Sequence, residues 1–180
     1  MARVPLPSRD DMPEAHRASY DRMQKERGNP TPHVFLALAN IPNLMEALLD
    51  FTKEMRHGSV MDQHHRELGI MMTARAANSA YEFDHHWNHA IRGGVTREQL
   101  EALDDHATSP LFSARERAVC AYALEATRHI EVRDETWAAL VEAFPLREAM
   151  DLVMAVAWYN AVARINGPLK VENEAWFRKI

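Results

Sequence analysis

Ser79, Glu82, His85, His86 and His89 crowd one short stretch of a 180-residue chain. At about 100° per residue on a helix, with Glu82 at zero, His86 falls at about 40°, Ser79 at about 60°, His89 at about 340° and His85 at about 300°. Ala80, Phe83, Trp87, Ala90 and Ile91 occupy roughly 80° to 180°, so Glu82, His86 and Ser79 border the apolar stripe. A carboxylate and an imidazole one turn apart are within contact range. An apolar border excludes water and adjusts proton affinity, which is the setting for general acid/base catalysis. The same residues admit a plain structural use. Ser79-Ala-Tyr-Glu82 fits the capping-box pattern, in which both side chains tie up free backbone N–H groups while the histidines stay solvated.

The preceding segment shows a similar oddity. Val60, Met61, Leu68, Met71 and Met72 form an apolar arc that contains His64 and Arg75, with Glu67 at its edge beside Met71. A Glu and an Arg this close to a buried stripe are costly unless paired or used. Either they form a structural ion pair, with Arg75 free to snorkel, or Glu67 faces a cavity shared with Glu82 and His86. Asn78-Ser79 interrupts the helical run between the two segments, so they can bend back and converge.

Other chemistries find less support. Glu54-Met-Arg-His57 and Glu82-Phe-Asp-His85 have the Glu-x-x-His spacing of di-iron bundles. Chance gives roughly one such match in a chain this rich in Glu and His. No two further carboxylates on separate helices are marked out, so no metal site is assigned. Cys120, the single cysteine, sits in the apolar run Ala118-Val-Cys-Ala-Tyr122 and reads as a buried, inert thiol. Ser79 has no glycine elbow, and there is no phosphate-cradling loop or dinucleotide fingerprint. No cofactor is expected.

Helices must position these groups. No two-residue alternation marks a strand, whereas helix punctuation recurs. Pro13-Glu14 opens a helix that stops before Gly28, and a short one follows from Val34 to Ala39. Others run from about Asn43 to His57 and from an Asp62 cap to about Ala77. Capping boxes at Ser79/Glu82, Thr96/Gln99 and Ser113/Glu116 start three more, the first ending at Gly93-Gly94. Asp134 caps a helix that closes near Phe144-Pro145, and a last one from Leu146 halts at Asn166-Gly167-Pro168. The expectation is a single-domain all-α bundle of seven to eight helices spanning 1–180, with a short extended N-terminus (1–10) and a C-terminal tail (169–180). At 47% hydrophobic and 26% charged residues, a chain of this mass hides roughly 70% of its surface on folding, without staples.

Charge and composition restrict partners. Lys and Arg number 21 against 26 Asp and Glu, a net charge of −5, the wrong sign for nucleic acid. No apolar run reaches the roughly 18–20 residues that span a bilayer, and Met1-Ala-Arg-Val-Pro-Leu-Pro-Ser lacks a signal-peptide core. One cysteine suits a reducing compartment, so the cytoplasm is the expected location.

The central block reads His65-Arg-Glu-Leu68, Arg75, Ser79-Ala-Tyr-Glu-Phe-Asp-His-His86 and Gly94-Val-Thr-Arg-Glu-Gln-Leu100. It is flanked by Phe35-Leu-Ala-Leu-Ala-Asn-Ile-Pro42, Ser113-Ala-Arg-Glu-Arg-Ala118, Trp158-Tyr-Asn160 and Arg164-Ile-Asn166. Together these resemble the carboxymuconolactone decarboxylase superfamily, whose other branch holds the alkylhydroperoxidase D-type peroxide reductases. In the peroxidase branch the centre is Glu, then Cys-x-x-Cys, then His. Here Glu67 and His86 match, while Ser79 and Glu82 replace the cysteines. Thiol reduction of a peroxide needs an attacking and a resolving thiol, so that route is not expected.

Tyr81, Glu82 and His86 instead match the Tyr-Glu-x-x-x-His of the decarboxylase-like branch. The resemblance implies cofactor-free lyase or isomerase chemistry on a small carboxylated lactone or related keto acid, in a homotrimer or homohexamer. Catalysis would fall to Glu67, Glu82 and His86, with His86 exchanging the proton and Glu82 or Glu67 orienting it. Arg75 or Arg164 would hold a substrate carboxylate through a forked contact, with Ser79, Tyr81 and Trp158 lining the pocket. Two rival readings remain: a peroxide reductase working through Cys120 or another route, and a non-catalytic helical assembly or binding protein.

Overall fold

Prolines, glycines and capping side chains cut the chain into helices joined by short turns. The computed structural model describes residues 2–180, and among them there are nine α-helices, two single-turn 3-10 helices and no strand. The all-α class is as expected. The count is slightly above the expected seven to eight, and the two shortest helices, His33–Leu38 and Arg97–Glu101, both fall where the sequence marks a start.

The chain forms two compact units, one made of the residues up to Gly58 with Ile165–Phe177, the other of Ser59–Arg164 with Arg178–Ile180. The first contains α1 (Arg17–Arg27), α2 (His33–Leu38) and α3 (Pro42–His57). Its core is Met12, Tyr20, Met23, Leu38, Met45 and Leu49. Pro42 starts α3 at a position where a missing N–H costs nothing.

The second unit contains α4 (Gln63–Ala76), α5 (Ala80–Arg92), α6 (Arg97–Glu101), α7 (Ala114–His129), α8 (Asp134–Ala143) and most of α9 (Leu146–Leu169). Leu68, Met71, Met72, Val119, Cys120, Leu140, Leu152 and Val156 fill its core. α4 packs against both α5 and α7. Gly69 allows a close approach: a Cβ there would sit 2.5 Å from Leu152 Cδ1 and 3.4 Å from Val119 Cγ1.

Local rules explain the ends of these helices. The Asp62 side chain accepts from His65 N–H at 3.0 Å and caps α4. α4 ends with Asn78 at φ 53°, the N–H of Asn78 bonding Arg75 O at 3.1 Å and that of Ser79 bonding Ala74 O at 2.9 Å. This paired closure places a left-handed residue one step past the helix, a role Asn fills with little strain. Gly94, at φ 91°, does the same after α5. α9 does not halt at Asn166-Gly167-Pro168 as expected. It continues to Leu169 and closes at Lys170, with Val171 N–H on Asn166 O at 3.1 Å. Proline in a last turn removes one donor and leaves the rest of the helix intact.

Glu116 ties three helices together. Its carboxylate accepts from Ser113 N–H at 2.7 Å, Gln99 Nε2 at 2.7 Å and His64 Nε2 at 2.7 Å. Burial pushes this carboxyl up, but the Ser113, His64 and Gln99 hydrogen bonds outweigh it and hold the group down to about 2. The segment between α6 and α7, the longest loop, is secured by Gln99 Nε2 to Leu111 O at 3.0 Å and Arg117 to Ser109 O at 2.8 Å. The last residues lie along α5, where Trp87 Nε1 donates to Ile180 O at 3.1 Å and Lys179 pairs with Asp84.

Candidate active site

Two of the three capping boxes read from the sequence form, Thr96/Gln99 and Ser113/Glu116. The third does not. Ser79 stands at the N-cap of α5, yet its side chain makes no capping bond, and Glu82 is buried, 4% exposed. A carboxylate buried this deeply, even in the first turn of a helix, needs a polar neighbour inside.

One such neighbour is His86, one turn further along α5, with its Nε2 3.9 Å from Glu82 Oε2. The Nδ1 of the same ring lies 2.8 Å from Glu67 Oε2, across the packed α4–α5 pair. Glu67 and His86 are 6% and 5% exposed. The direct hydrogen bond of the imidazole therefore runs to the neighbouring helix, while Glu82 sits at ion-pair range. Of the two carboxylates the sequence offers for orienting the ring, Glu67 is the one in direct hydrogen-bond contact. The i,i+4 relation brings side chains close, but the tilt between two helices decides which oxygen meets the ring. The structural alternative for Glu67, an ion pair with Arg75, is not what forms.

Burial pushes the Glu67 carboxyl up, and the charge and hydrogen bond of His86 more than offset this, leaving it below its ordinary value. An ionised Glu67 accepts from Nδ1–H, which fixes the ring tautomer and leaves Nε2 for proton exchange. Tyr159 of α9 packs edge-on against His86, ring centroids 4.4 Å apart at 75°. Sequence reasoning missed Tyr159 as a site residue; its only signal was its place in the Trp158-Tyr-Asn160 block.

The remaining expected residues fall in several places. Arg75 and Ser79 meet at a cleft of about 270 Å³, together with Asn78, Ala80, Phe83 and Asp84. The Arg75 guanidinium lies over the Phe83 ring, 4.8 Å from its centroid, and 3.9 Å from Asp104. Its Nε is buried with no hydrogen-bond partner. Tyr81 is buried and stacked on His85, centroids 4.3 Å apart. Trp158 is half-buried on α9. Arg164 is exposed and bonded to Asn160 on its own helix, at 2.7 Å to the side-chain oxygen, so it does not join the arginine at the cleft.

Cys120 is fully buried in the α7 core, and desolvation pushes its thiol well above the ordinary range. Such a thiol supplies no thiolate. Among the described residues no three His, Cys, Asp or Glu side chains are arranged to hold a metal ion, and no helix is long and apolar enough to cross a membrane.

Residues 42–125 match the model of the Carboxymuconolactone decarboxylase family. No curated protein matches the chain. Among solved structures, the debrominase Bmp8, in a cysteine-to-alanine variant complexed with 2,3,4-tribromopyrrole, is 20% identical with a TM-score of 0.79. That match covers 97% of this chain and 95% of the other. An alkylhydroperoxidase AhpD core, an uncharacterized peroxidase-related protein from Ralstonia eutropha JMP134, is 20% identical with a TM-score of 0.80, over 98% and 94% of the two chains. A peroxidase-related protein from Silicibacter sp. TM1040 is 18% identical with a TM-score of 0.80, over 98% and 93%. At these identities the likeness is one of fold.

Proposed function

Because residues 42–125 match the model of the Carboxymuconolactone decarboxylase family, we propose that this chain is a cofactor-independent acid/base enzyme. It acts as a carboxy-lyase or isomerase on a small carboxylated lactone or related keto acid, in the cytoplasm. The observation that carries this reading is one imidazole between two buried carboxylates, Glu67 at Nδ1 and Glu82 facing Nε2.

In a decarboxylation the bond between carbon and the leaving carboxylate breaks, and its electron pair delocalises into an adjacent carbonyl. CO2 departs, and His86 delivers a proton from Nε2 to the carbon that keeps the electrons. Glu67 orients the ring and stabilises the imidazolium before transfer. Glu82 faces the same Nε2 at 3.9 Å, on the side where the proton moves. Arg75, with an unused donor beside the uncapped start of α5, suits a substrate carboxylate. Ser79 shares that cleft.

The rival readings have less support. A peroxide reductase would need an accessible thiolate, and Cys120 is neither accessible nor acidic. A purely structural helical protein gains nothing from burying two carboxylates against one imidazole, since apolar residues of similar size are as stabilising or more so.

We further propose that copies of the chain associate, as a trimer or hexamer, through α9. Leu146, Met150 and Met154 are 63%, 41% and 45% exposed on one face, and the exposed Ala157 and Ala161 continue that face. Small residues there allow a close helix approach, and a helix apolar on all sides is ordinarily covered on all sides.

The test is to incubate the protein with 4-carboxymuconolactone and short β-keto acids and follow CO2 release and isomer formation. His86→Ala should lower turnover by about 10²-fold or more. Undiminished turnover by His86→Ala, or no turnover of any of these compounds by the native protein, would overturn the assignment.

A further inference from the structure

Decarboxylation consumes a proton: R–COO⁻ and H⁺ give R–H and CO2, the bonding electrons ending in the new C–H bond. His86 supplies that proton and must be recharged from water at every turnover. Yet Glu67, Glu82 and His86 are all buried, and Glu67 holds the ring at Nδ1.

A half-buried titratable group stands beside this buried set. His89 lies three residues beyond His86 on the same side of α5, its ring centroid 5.4 Å from that of His86 and its plane tilted by 41°. Its charge, like that of Arg66, is close enough to act on the Glu67 carboxylate. His89 is only half-buried. It stands in the last turn of α5, where helix carbonyls favour a cation. Its backbone carbonyl accepts from Gly93 N–H at 2.9 Å and from Gln63 Nε2 at 3.3 Å, which anchors this turn against the start of α4.

We infer that His89 relays protons between solvent and His86, whose ring centroid stands 5.4 Å from its own. It is a positioning residue that acts through His86 and does not touch substrate. The inference rests on the acid/base reading of the site. His89 takes a proton from water, passes it to the His86 ring and returns to neutral; nothing is oxidised or reduced.

The experiment uses the full ¹⁵N-labelled chain at neutral pH, without substrate, and measures exchange of the His86 ring N–H protons with water by NMR. The downfield Nδ1–H resonance produced by Glu67 reports that the pair is intact. In His89→Phe the exchange should slow roughly tenfold or more. His89→Gln, whose amide cannot change protonation state, should slow it as much, and decides the matter if Phe disturbs the pair. Native exchange in the variant that keeps the resonance would overturn the relay. So would equal slowing in His85→Phe, since the His85 ring is stacked on Tyr81. The readout needs no turnover, so loss of the relay and loss of the lyase assignment are separate results.

Discussion

Glu67 and Glu82 are the same residue type within reach of one imidazole, and their geometry divides the work. Glu67→Gln keeps a group that can accept from Nδ1–H but removes the charge. We expect turnover to fall by about 10²–10³-fold, read by enzyme assay, with a modest drop in thermal midpoint, read by calorimetry, because the ionised carboxyl also favours the folded chain. Glu116 gives the complementary case, a carboxylate of stability rather than chemistry. Its carboxyl lies at about 2 in the folded chain against an ordinary 4.5. Its contribution is therefore present in full above 4.5 and is lost as pH falls toward 2. Glu116→Gln should lower stability at neutral pH by about 1–3 kcal/mol and flatten the acid limb of a stability–pH curve followed by urea unfolding.

At the scale of elements, the α4–α5 junction sets the distance between Glu67 and His86. Asn78 occupies the left-handed region there, which a β-branched residue enters only at a cost of about 1–2 kcal/mol. Asn78→Val should destabilise by that amount and weaken turnover, whereas Asn78→Gly should leave both near native levels; parallel melts and CO2 assays compare them. Much of this was legible beforehand. The helical wheel places Glu82, His86 and Ser79 on the border of the apolar stripe, and Asn78-Ser79 reads as the bend. Which carboxylate bonds His86 was not legible, because the 2.8 Å contact to Glu67 depends on interhelical tilt, a tertiary quantity. The packing of Tyr159 on His86 and the gathering of His64, Gln99 and Ser113 on Glu116 were hidden for the same reason, their partners lying on different helices. The end of α9 was misplaced because Pro168 is a sign of termination that a last turn can absorb.

At the scale of the whole molecule, the proposed assembly makes its own demand. Met154→Glu places a charge in the middle of the exposed α9 face, so it should shift the chain to monomers in sedimentation while leaving its helical circular dichroism unchanged. A species of native mass in that variant would remove α9 from the interface. The lone sulfhydryl offers a different use. Cys120 is wholly enclosed in the α7 core, so an alkylating reagent meets it only when that core opens. Iodoacetamide labelling of the native chain should therefore run at the pace of opening, accelerate in mild urea, and give a single mass increment on each molecule. The protein thus carries a built-in clock for its own unfolding, one that can be read in a cell extract without adding a dye or a tag.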